Sequence, residues 1–374
     1  MAGYLITLSD EQSLENCIRT GTYSTILNSP RFDSWGGNHE GTFADYLSMN
    51  ENDLVFFFIK RKIYGCGKLK NINGDCKFLN YQNADQPAGD TEENYREHLL
   101  QYGSSKNRCF CLFEPAPCFF KEGVDMDEVL QSTSCPFHSV RTLWKLSFIK
   151  MDDEESDALF GIILKHNEER LHDADSHFEY DRRCHDLLRE KILDSKRLTY
   201  SSIVNSCRTE TGYLKHEMAI EATLCEKLTH ENVAPFGKWD YISHQVAASP
   251  FKPVDYMDKM DVFGYRYIPG YKVKSRYLIA ELKKDQANID VVEQIMKYVD
   301  WVSDEYVNGD YSMIEAYIVA LDFSDEIKRA VKEYCIRKFN RGFRPTQFCT
   351  WTNIKLVKYR AVENDIVFEV VDID

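Results

Sequence analysis

Short runs of alternating or continuous apolar residues predict strands in the first part of the chain, and apolar positions at helical spacing predict helices. Strand-like runs cover Tyr4–Leu8, Asp53–Lys68 and Trp144–Lys150, and the second of them has a turn in its middle that makes it a hairpin. Asp152–Leu164 has an acidic first turn and predicts a helix. These elements together indicate one domain over residues 1–166.

The pattern changes in the second part of the chain. Residues 167–200 are densely charged, and helical spacing in Tyr180–Leu193 predicts a helical connector. Beyond it, strands and helices alternate over residues 201–374, which predicts a second domain with a mixed sheet and helices packed on it. The predicted elements are a helix over 213–228, strands over 238–247, 260–267 and 275–282, a helix over 289–304, a strand over 314–321, a helix over 324–338, and strands near 354–359 and 366–371.

The size and composition agree with two ordinary globular domains. The chain has 374 residues, of which 43% are hydrophobic and 28% charged. The first residues lack the basic and apolar segments of a signal peptide, and the longest apolar runs are far shorter than the roughly 18 residues that suggest a membrane span. We therefore expect a cytoplasmic protein without a membrane partner. Its twelve cysteines are expected to be reduced. A CxC pair at Cys109 and Cys111, without any CxxC, favours core packing over a zinc site.

The net charge of −14 argues against nucleic-acid binding, but the charge is unevenly distributed. Between Lys328 and Arg360 there are ten basic residues and one acidic residue, Glu333. Such a local excess is what binding to a phosphate backbone requires, although a solvated basic helix and loop is the simpler interpretation. The candidate nucleic-acid-binding residues in this stretch are Arg337, Lys338, Arg341 and Arg344.

One pair of predicted strands carries candidate catalytic chemistry. Asp261 lies on the first strand, and the next strand is apolar and ends in Glu281-Leu282-Lys283. Side chains alternate along a strand, so Glu281 and Lys283 share a face while Leu282 points into the core. Two carboxylates brought together repel each other unless a cation lies between them, and oxygen ligands suit Mg²⁺ or Mn²⁺. A neighbouring ammonium group can position water and stabilise developing negative charge.

The Glu-x-Lys spacing alone is a weak signal. The chain contains a second instance, Glu326-Ile-Lys328, but it opens a predicted helix, where positions i and i+2 do not face each other. Only Glu281-Leu-Lys283 ends an apolar strand with an aspartate on the preceding strand. A surface ion pair at a sheet edge is the alternative interpretation.

The helix that follows has two faces. Val291, Ile295 and Val299 lie at the spacing of a core stripe, while Gln294 and Tyr298 lie one turn apart on another face. Gln294 could form a hydrogen bond at the site. Tyr298 fits equally well as a site residue or as core filler.

These residues resemble the core of the PD-(D/E)XK, or restriction-endonuclease-like, nuclease superfamily, and most of all its NucS/Mrr-like branch, where Glu-Leu-Lys precedes a Gln-x-x-x-Tyr helix. The resemblance covers about residues 213–325, and the chain beyond departs from it. It implies an α/β domain with a mixed sheet flanked by helices, and a metal-dependent endonuclease acting on DNA. It also implies that Asp261 and Glu281 are metal ligands, that Lys283 is the catalytic lysine, and that Gln294 and Tyr298 support them.

A helix before the core often supplies a further acidic ligand in this family. Glu217 and Glu221 lie at i and i+4 on the predicted helix 213–228, and Glu221 fits the role better because Ile220 and Leu224 flank it. A solvated helix face explains the pair equally well.

The first domain carries a second resemblance, which rests on one stretch. Asn52-Asp53 leads into an aromatic strand, a basic turn and Ile63-Tyr64-Gly-x-Gly. This stretch resembles PUA-like barrels of the EVE and ASCH type, and implies an α+β sensor domain for a modified base or another small ligand. A flipped base needs an aromatic pocket, although aromatic residues also fill small barrel cores. The candidate pocket residues are Trp35, Phe43, Tyr46 and Tyr64.

Taken together, the sequence predicts a sensor domain followed by a nuclease, which suggests prokaryotic restriction or antiphage defence. A repair endonuclease for mismatched or branched DNA, an RNA-directed nuclease and a non-catalytic nucleic-acid-binding protein are the alternatives. Since two cuts on a duplex need two active sites, we also expect a homodimer or a higher homo-oligomer.

Overall fold

The computed structural model describes residues 1–28, 35, 37–87, 98–100, 106–143, 147–248 and 257–373, with the backbone alone for 37–40. The chain divides into two compact units, Met1–Thr199 and Tyr200–Asp374. Within the described residues, no helix is both long and apolar enough to cross a membrane.

The first unit is built on a mixed sheet. Its strands run in the order β2-β6-β4-β3-β1-β8, with β5 added to β6 and β7 to β4, and β1 and β3 are parallel. Among the described residues, the end strands β2 and β8 do not pair with each other, so a closed barrel stays a prediction. The strands are β1 (Gly3–Thr7), β2 (Thr22–Ile26), β3 (Leu54–Ile59), β4 (Lys62–Leu69), β5 (Lys77–Leu79), β6 (Asn107–Glu114), β7 (Val124–Asp125) and β8 (Phe148–Met151).

Several predicted elements of the first unit are confirmed. The predicted hairpin is β3 and β4, joined through Lys60 and Arg61, whose positive φ angles of 47° and 69° close the tight turn. The predicted helix begins after Asp152, whose carboxylate accepts a hydrogen bond from the backbone N–H of Glu155. Part of the predicted strand Trp144–Lys150 lies outside the described residues. The helices of this unit are α1 (Glu11–Thr20), α2 (Gly37–Leu47), α3 (Met126–Gln131), α4 (Asp153–His166) and α5 (Arg183–Lys191).

The segment predicted as a connector packs against the first unit. Its helix α5 lies within the predicted range, and Leu188 joins an apolar cluster with Phe78 and Phe110. His185 Nε2 lies 2.9 Å from the carbonyl oxygen of Gly21. The charged residues of this segment concealed the few apolar positions that attach it, and the division between the units lies after Thr199.

The second unit has the mixed sheet flanked by helices that its pattern predicts. Its strand order is β16-β15-β12-β11-β10-β9, in which β12 is parallel to β11 and β15 and the other pairs are antiparallel. The strands are β9 (Tyr241–Ala247), β10 (Lys259–Tyr267), β11 (Lys274–Gln286), β12 (Ile314–Asp322), β13 (Arg337–Arg341), β14 (Gln347–Trp351), β15 (Ile354–Val362) and β16 (Asp365–Val371). The helices are α6 (Tyr200–Cys207), α7 (Met218–His230), α8 (Asp290–Tyr306) and α9 (Asp325–Tyr334).

The prediction of one helix over 324–338 was wrong at its end. Helix α9 ends at Tyr334, and β13 begins at Arg337 and pairs with β14 in a separate two-stranded sheet. The apolar stripe of α9 ends with Val331, and the side chains that follow alternate with period two, which is the spacing of a strand. The density of positive charge hid that change of period.

Helix α8 offers a stability test within one element. Ile295 is fully buried against the sheet, whereas Lys297 is exposed and only pairs with Glu293 at 2.8 Å. We expect Ile295→Ala to lower the free energy of unfolding by about 2–5 kcal/mol. Lys297→Ala should change it by no more than about 0.5 kcal/mol. Urea unfolding followed by circular dichroism measures both, and equal effects would show that α8 does not pack as described.

Candidate active site

The candidate acids lie on two neighbouring antiparallel strands. Val262 of β10 pairs with Ala280 of β11, so Asp261 and Glu281 are the next residues along this register. One carboxylate oxygen of Asp261, Oδ2, accepts a hydrogen bond from the backbone N–H of Leu282 at 2.8 Å. This bond fixes Asp261 against the strand that carries Glu281. The structure thus brings together two residues that the sequence separates by twenty positions.

Glu281 is fully buried and only half satisfied. Lys283 Nζ donates a hydrogen bond of 2.6 Å to its Oε1, while its Oε2 is buried and has no hydrogen-bond partner among the described residues. Burial raises the pKa of Glu281, and the charge of Lys283 opposes that shift. Burial disfavours the charged form of Lys283, but the charge of Glu281 outweighs it and the pKa of Lys283 is raised. The unpaired carboxylate oxygen leaves a place for a further partner.

Asp261 is partly buried and lies in a negative environment. Burial and the charges of Glu281 and Glu221 raise the pKa of Asp261 well above its ordinary value. Its Oδ1 accepts a hydrogen bond of 3.2 Å from Gln245 Nε2, and the same amide nitrogen lies 3.4 Å from Glu221 Oε1. Gln245 therefore links the two carboxylates, which belong to different elements.

The upstream acids flank this pair from helix α7. Glu221 is buried, and its Oε1 lies 2.7 Å from His244 Nδ1. Glu217 precedes the helix, and burial raises its pKa while Lys283 opposes the shift. The geometry agrees with the preference for Glu221 over Glu217, because only Glu221 shares a hydrogen-bond donor with Asp261 among the described contacts.

The sequence analysis missed His244 and Gln245. Both lie on β9, which pairs with β10, and His244 is opposite Val262. Gln245 has a φ of 51°, so the strand is locally irregular where the amide turns toward the acids. Polar residues on a strand beside Asp261 could have suggested His244, but no pattern in the chain predicts the irregular backbone at Gln245.

The arrangement fits a cation held mainly by two carboxylates. Within the described part of the chain, no three or more His, Cys, Asp or Glu side chains form a complete ligand set, and Glu221 as a third ligand stays a prediction. Asp261 and Glu281 raise each other's electrostatic energy, and Glu281 Oε2 lacks a partner. Mg²⁺ commonly takes one or two carboxylates and keeps several waters, so the donor chemistry of this pair suits Mg²⁺ or Mn²⁺.

Helix α8 places its predicted residues near the acids. Gln294 Nε2 donates a hydrogen bond of 2.9 Å to the hydroxyl of Tyr298, so Gln294 contacts a carboxylate only indirectly. Tyr298 belongs to the apolar core, and burial first and the charges of Glu281 and Asp261 further raise its pKa. Tyr298 thus packs in the core and also faces the site, which combines the two interpretations that its position in the sequence left open.

The predicted nucleic-acid-binding residues fall into two classes. Arg337 makes two hydrogen bonds of 2.7 and 2.8 Å to the carboxylate of Asp300, and Arg341 forms a 3.0 Å ion pair with Asp310. In the described residues, Lys338 and Arg344 have no ion pair. The basic stretch is therefore partly neutralised by the domain that carries it, which sequence counting could not reveal.

The predicted base pocket is not open in the first unit. Trp35 and Phe43 pack edge to face with ring centroids 5.1 Å apart, and both are buried. Tyr46 is fully buried and shares hydrogen bonds with Thr25. Tyr64 is half-buried, and none of the described contacts joins its ring to the other three. These aromatic residues fill the core, so they are not accessible to a flipped base as they stand.

No family model matches the chain, and no curated protein sequence matches it. Among solved structures, a repair endonuclease from Pyrococcus abyssi is similar over 32% of this chain and 42% of its own, with 23% identity and a TM-score of 0.21. A structure entitled an EndoMS–dsDNA complex matches 33% of this chain and 41% of its own, with 20% identity and a TM-score of 0.21. A hypothetical protein from Leishmania major matches 46% of this chain and 96% of its own, with 13% identity and a TM-score of 0.29. The chain spans about two fifths of the first two, and TM-scores this low do not establish a shared fold or activity.

Proposed function

We propose that the second unit is a metal-dependent endonuclease that hydrolyses phosphodiester bonds in DNA at Asp261, Glu281 and Lys283. The observation that carries this proposal is the buried Glu281, which has Asp261 on the neighbouring strand, Lys283 on one carboxylate oxygen and no partner on the other. A purely structural ion pair would leave no such oxygen unsatisfied, because an unpaired buried acceptor is costly.

The side chains divide the chemistry among them. Asp261 and Glu281 would hold a divalent cation, Mg²⁺ or Mn²⁺, which when bound supplies Lewis-acid activation of the scissile phosphate. Lys283 is held against Glu281, where its ammonium group can orient the attacking water and stabilise charge that develops on the phosphate. Gln245 and the backbone N–H of Leu282 fix the orientation of Asp261.

Hydrolysis of a polyanion also requires that the acidic site does not repel its substrate. A cation neutralises part of the charge of Asp261 and Glu281, and Lys338 and Arg344 provide further positive charge in the same unit. The substrate that this chemistry favours is therefore a nucleic acid, and we propose DNA, with a homodimer as the form that cuts both strands.

For the biological role we propose restriction or antiphage defence, with a repair endonuclease as the alternative. The proposal that the first unit senses a modified base draws no support from Trp35, Phe43 and Tyr46, because they are buried. The experiment below separates the two roles by the substrate that is preferred.

The test is incubation of the full-length protein with Mg²⁺ or Mn²⁺ and with unmodified, modified, mismatched and single-stranded DNA in parallel, and with RNA. We expect cleavage of DNA that requires the cation and that EDTA abolishes. Preference for modified DNA supports restriction, and preference for mismatched DNA supports repair. Cleavage of RNA alone, or binding of DNA without cleavage under every condition, would contradict the proposal.

A further inference from the structure

The two-stranded sheet of β13 and β14, which we call the β13–β14 hairpin, has one face attached to the second unit. Strand alternation places Arg337, Phe339 and Trp351 on that face. Trp351 is buried and its indole N–H donates a hydrogen bond of 2.9 Å to the carbonyl oxygen of Ile314. The ring of Phe339 lies 5.9 Å from that of Tyr311. These contacts, with the Arg337–Asp300 ion pair, hold the hairpin at its base.

The remainder of the hairpin exposes two large aromatic side chains. Phe343 in the turn is 95% exposed, and Phe348 on β14 is 87% exposed. Phe348 pairs across the strands with Asn340, on the face that also carries Lys338. Single exposed apolar residues are common on proteins, but these two lie within six positions of each other on one small element that contributes nothing else to the core beyond its base.

The charge of the hairpin indicates what could cover these rings. Residues 337–351 include four basic residues and no acidic residue, in a chain with a net charge of −14. Arg337 and Arg341 are paired with Asp300 and Asp310, whereas Lys338 and Arg344 have no ion pair among the described residues. The occupant should therefore be anionic and should present flat apolar surfaces. Nucleotides combine these two properties, since phosphate carries the charge and the base has a π-face for stacking.

We propose that the β13–β14 hairpin binds DNA at unpaired bases, with Phe343 and Phe348 stacking on bases and Lys338 and Arg344 contacting the adjoining phosphates. In an intact duplex each base already stacks on its neighbours, so an exposed phenylalanine gains a partner only where bases are unpaired or a base step is opened. The inference rests on the proposed nuclease function and names its substrate class, which is DNA with single-stranded or unpaired bases.

The test is equilibrium binding of the full-length protein to a labelled single strand and to the duplex of the same sequence, in EDTA so that no cleavage occurs. Loss of one stacking contact weakens binding by about 5- to 100-fold. We expect Phe343→Ala and Phe348→Ala each to weaken binding to the single strand within that range, while binding to the duplex changes less than about 2-fold. Phe343→Tyr and Phe348→Tyr should retain single-strand binding, because a tyrosine ring also stacks.

A matched control is Tyr271→Ala, since Tyr271 is another exposed aromatic residue, 70% exposed, on the turn between β10 and β11. It should leave both affinities unchanged. Lys338→Gln with Arg344→Gln should weaken binding and reduce the salt dependence by about 0.7 in log K per lost phosphate contact on a single strand.

Three outcomes would overturn the inference. The first is unchanged single-strand binding by the Phe343→Ala, Phe348→Ala double variant, and the second is an equal loss on single strand and duplex. The third is a dimer of the wild type that this variant dissociates in sedimentation, which would make the rings a contact between two copies. Cleavage of duplex DNA with Mg²⁺ is scored separately. Its absence would contradict the nuclease proposal, whereas its presence with unchanged single-strand binding would contradict only this inference.

Discussion

Glu281→Gln and Lys283→Ala should each slow DNA cleavage by at least about 10²–10³-fold, which is the loss expected when one preorganised electrostatic group is removed from a site of charge development. Glutamine retains the shape of Glu281 but removes the negative charge that would bind a cation. Alanine at position 283 removes the ammonium group that contacts Glu281 Oε1. Binding of DNA should change little, because the candidate binding residues lie elsewhere. Single-turnover cleavage at saturating DNA measures the effect.

The chain offers a matched control for these variants. Glu326 and Lys328 have the same Glu-x-Lys spacing but lie in the first turns of helix α9, where Lys328 is 3.8 Å from Asp325. Glu326→Ala should cleave at the wild-type rate. A Glu326→Ala protein that folds normally but does not cleave, or Glu281→Gln and Lys283→Ala proteins that cleave like wild type, would show that the catalytic residues were assigned wrongly.

A divalent cation should stabilise the folded wild-type protein by about 2.7 kcal/mol at 100 times its dissociation constant, because a ligand that binds only the folded state shifts the unfolding equilibrium. Calorimetry with and without Mg²⁺, or with Ca²⁺ if cleavage must be avoided, measures the change in Tm. Asp261→Asn and Glu281→Gln should lose most of this stabilisation. Asp261→Asn should also raise Tm in EDTA, since it removes a negative charge that lies beside Glu281 and Glu221.

The control for this second prediction is Asp365→Asn, which removes a carboxylate that pairs with Lys227 on the other edge of the sheet. Its cation-dependent shift in Tm should equal that of the wild type. An equal shift in all four proteins would mean that the cation binds elsewhere or without specificity. A lower Tm for Asp261→Asn in EDTA would mean that its hydrogen bond to Leu282 matters more than the repulsion.

Much of the second unit could be predicted because its strands are continuous or alternating apolar runs and its helices carry regular stripes. The pairing of Asp261 with Glu281 followed from adjacent strands and from a side-chain period of two, and the register of β10 and β11 agrees with it. Their roles in binding metal and in catalysis stay predictions. The buried, unpartnered Oε2 of Glu281 depends on packing from several elements, so no local pattern could have indicated it.

Other features depended on tertiary contacts that a pattern of residue types does not contain. Counting charges treated Arg337 as available for DNA, but its fork geometry matches Asp300, which lies on α8. Trp35 and Phe43 read equally well as pocket or core, and only their burial shows that they are core. Gln245 reaches Asp261 through an irregular strand, which a regular β pattern cannot predict.

The most direct test of the central claim is a crystal of the full-length protein soaked with Mn²⁺ and measured at a wavelength where manganese scatters anomalously. We expect one anomalous peak in the second unit, contacted by carboxylate oxygens of both Asp261 and Glu281, and its loss in crystals of the Glu281→Gln variant. A peak that contacts neither carboxylate, or no peak in the wild type at a concentration that supports cleavage, would contradict the assignment of Asp261 and Glu281 as the metal site of a nuclease.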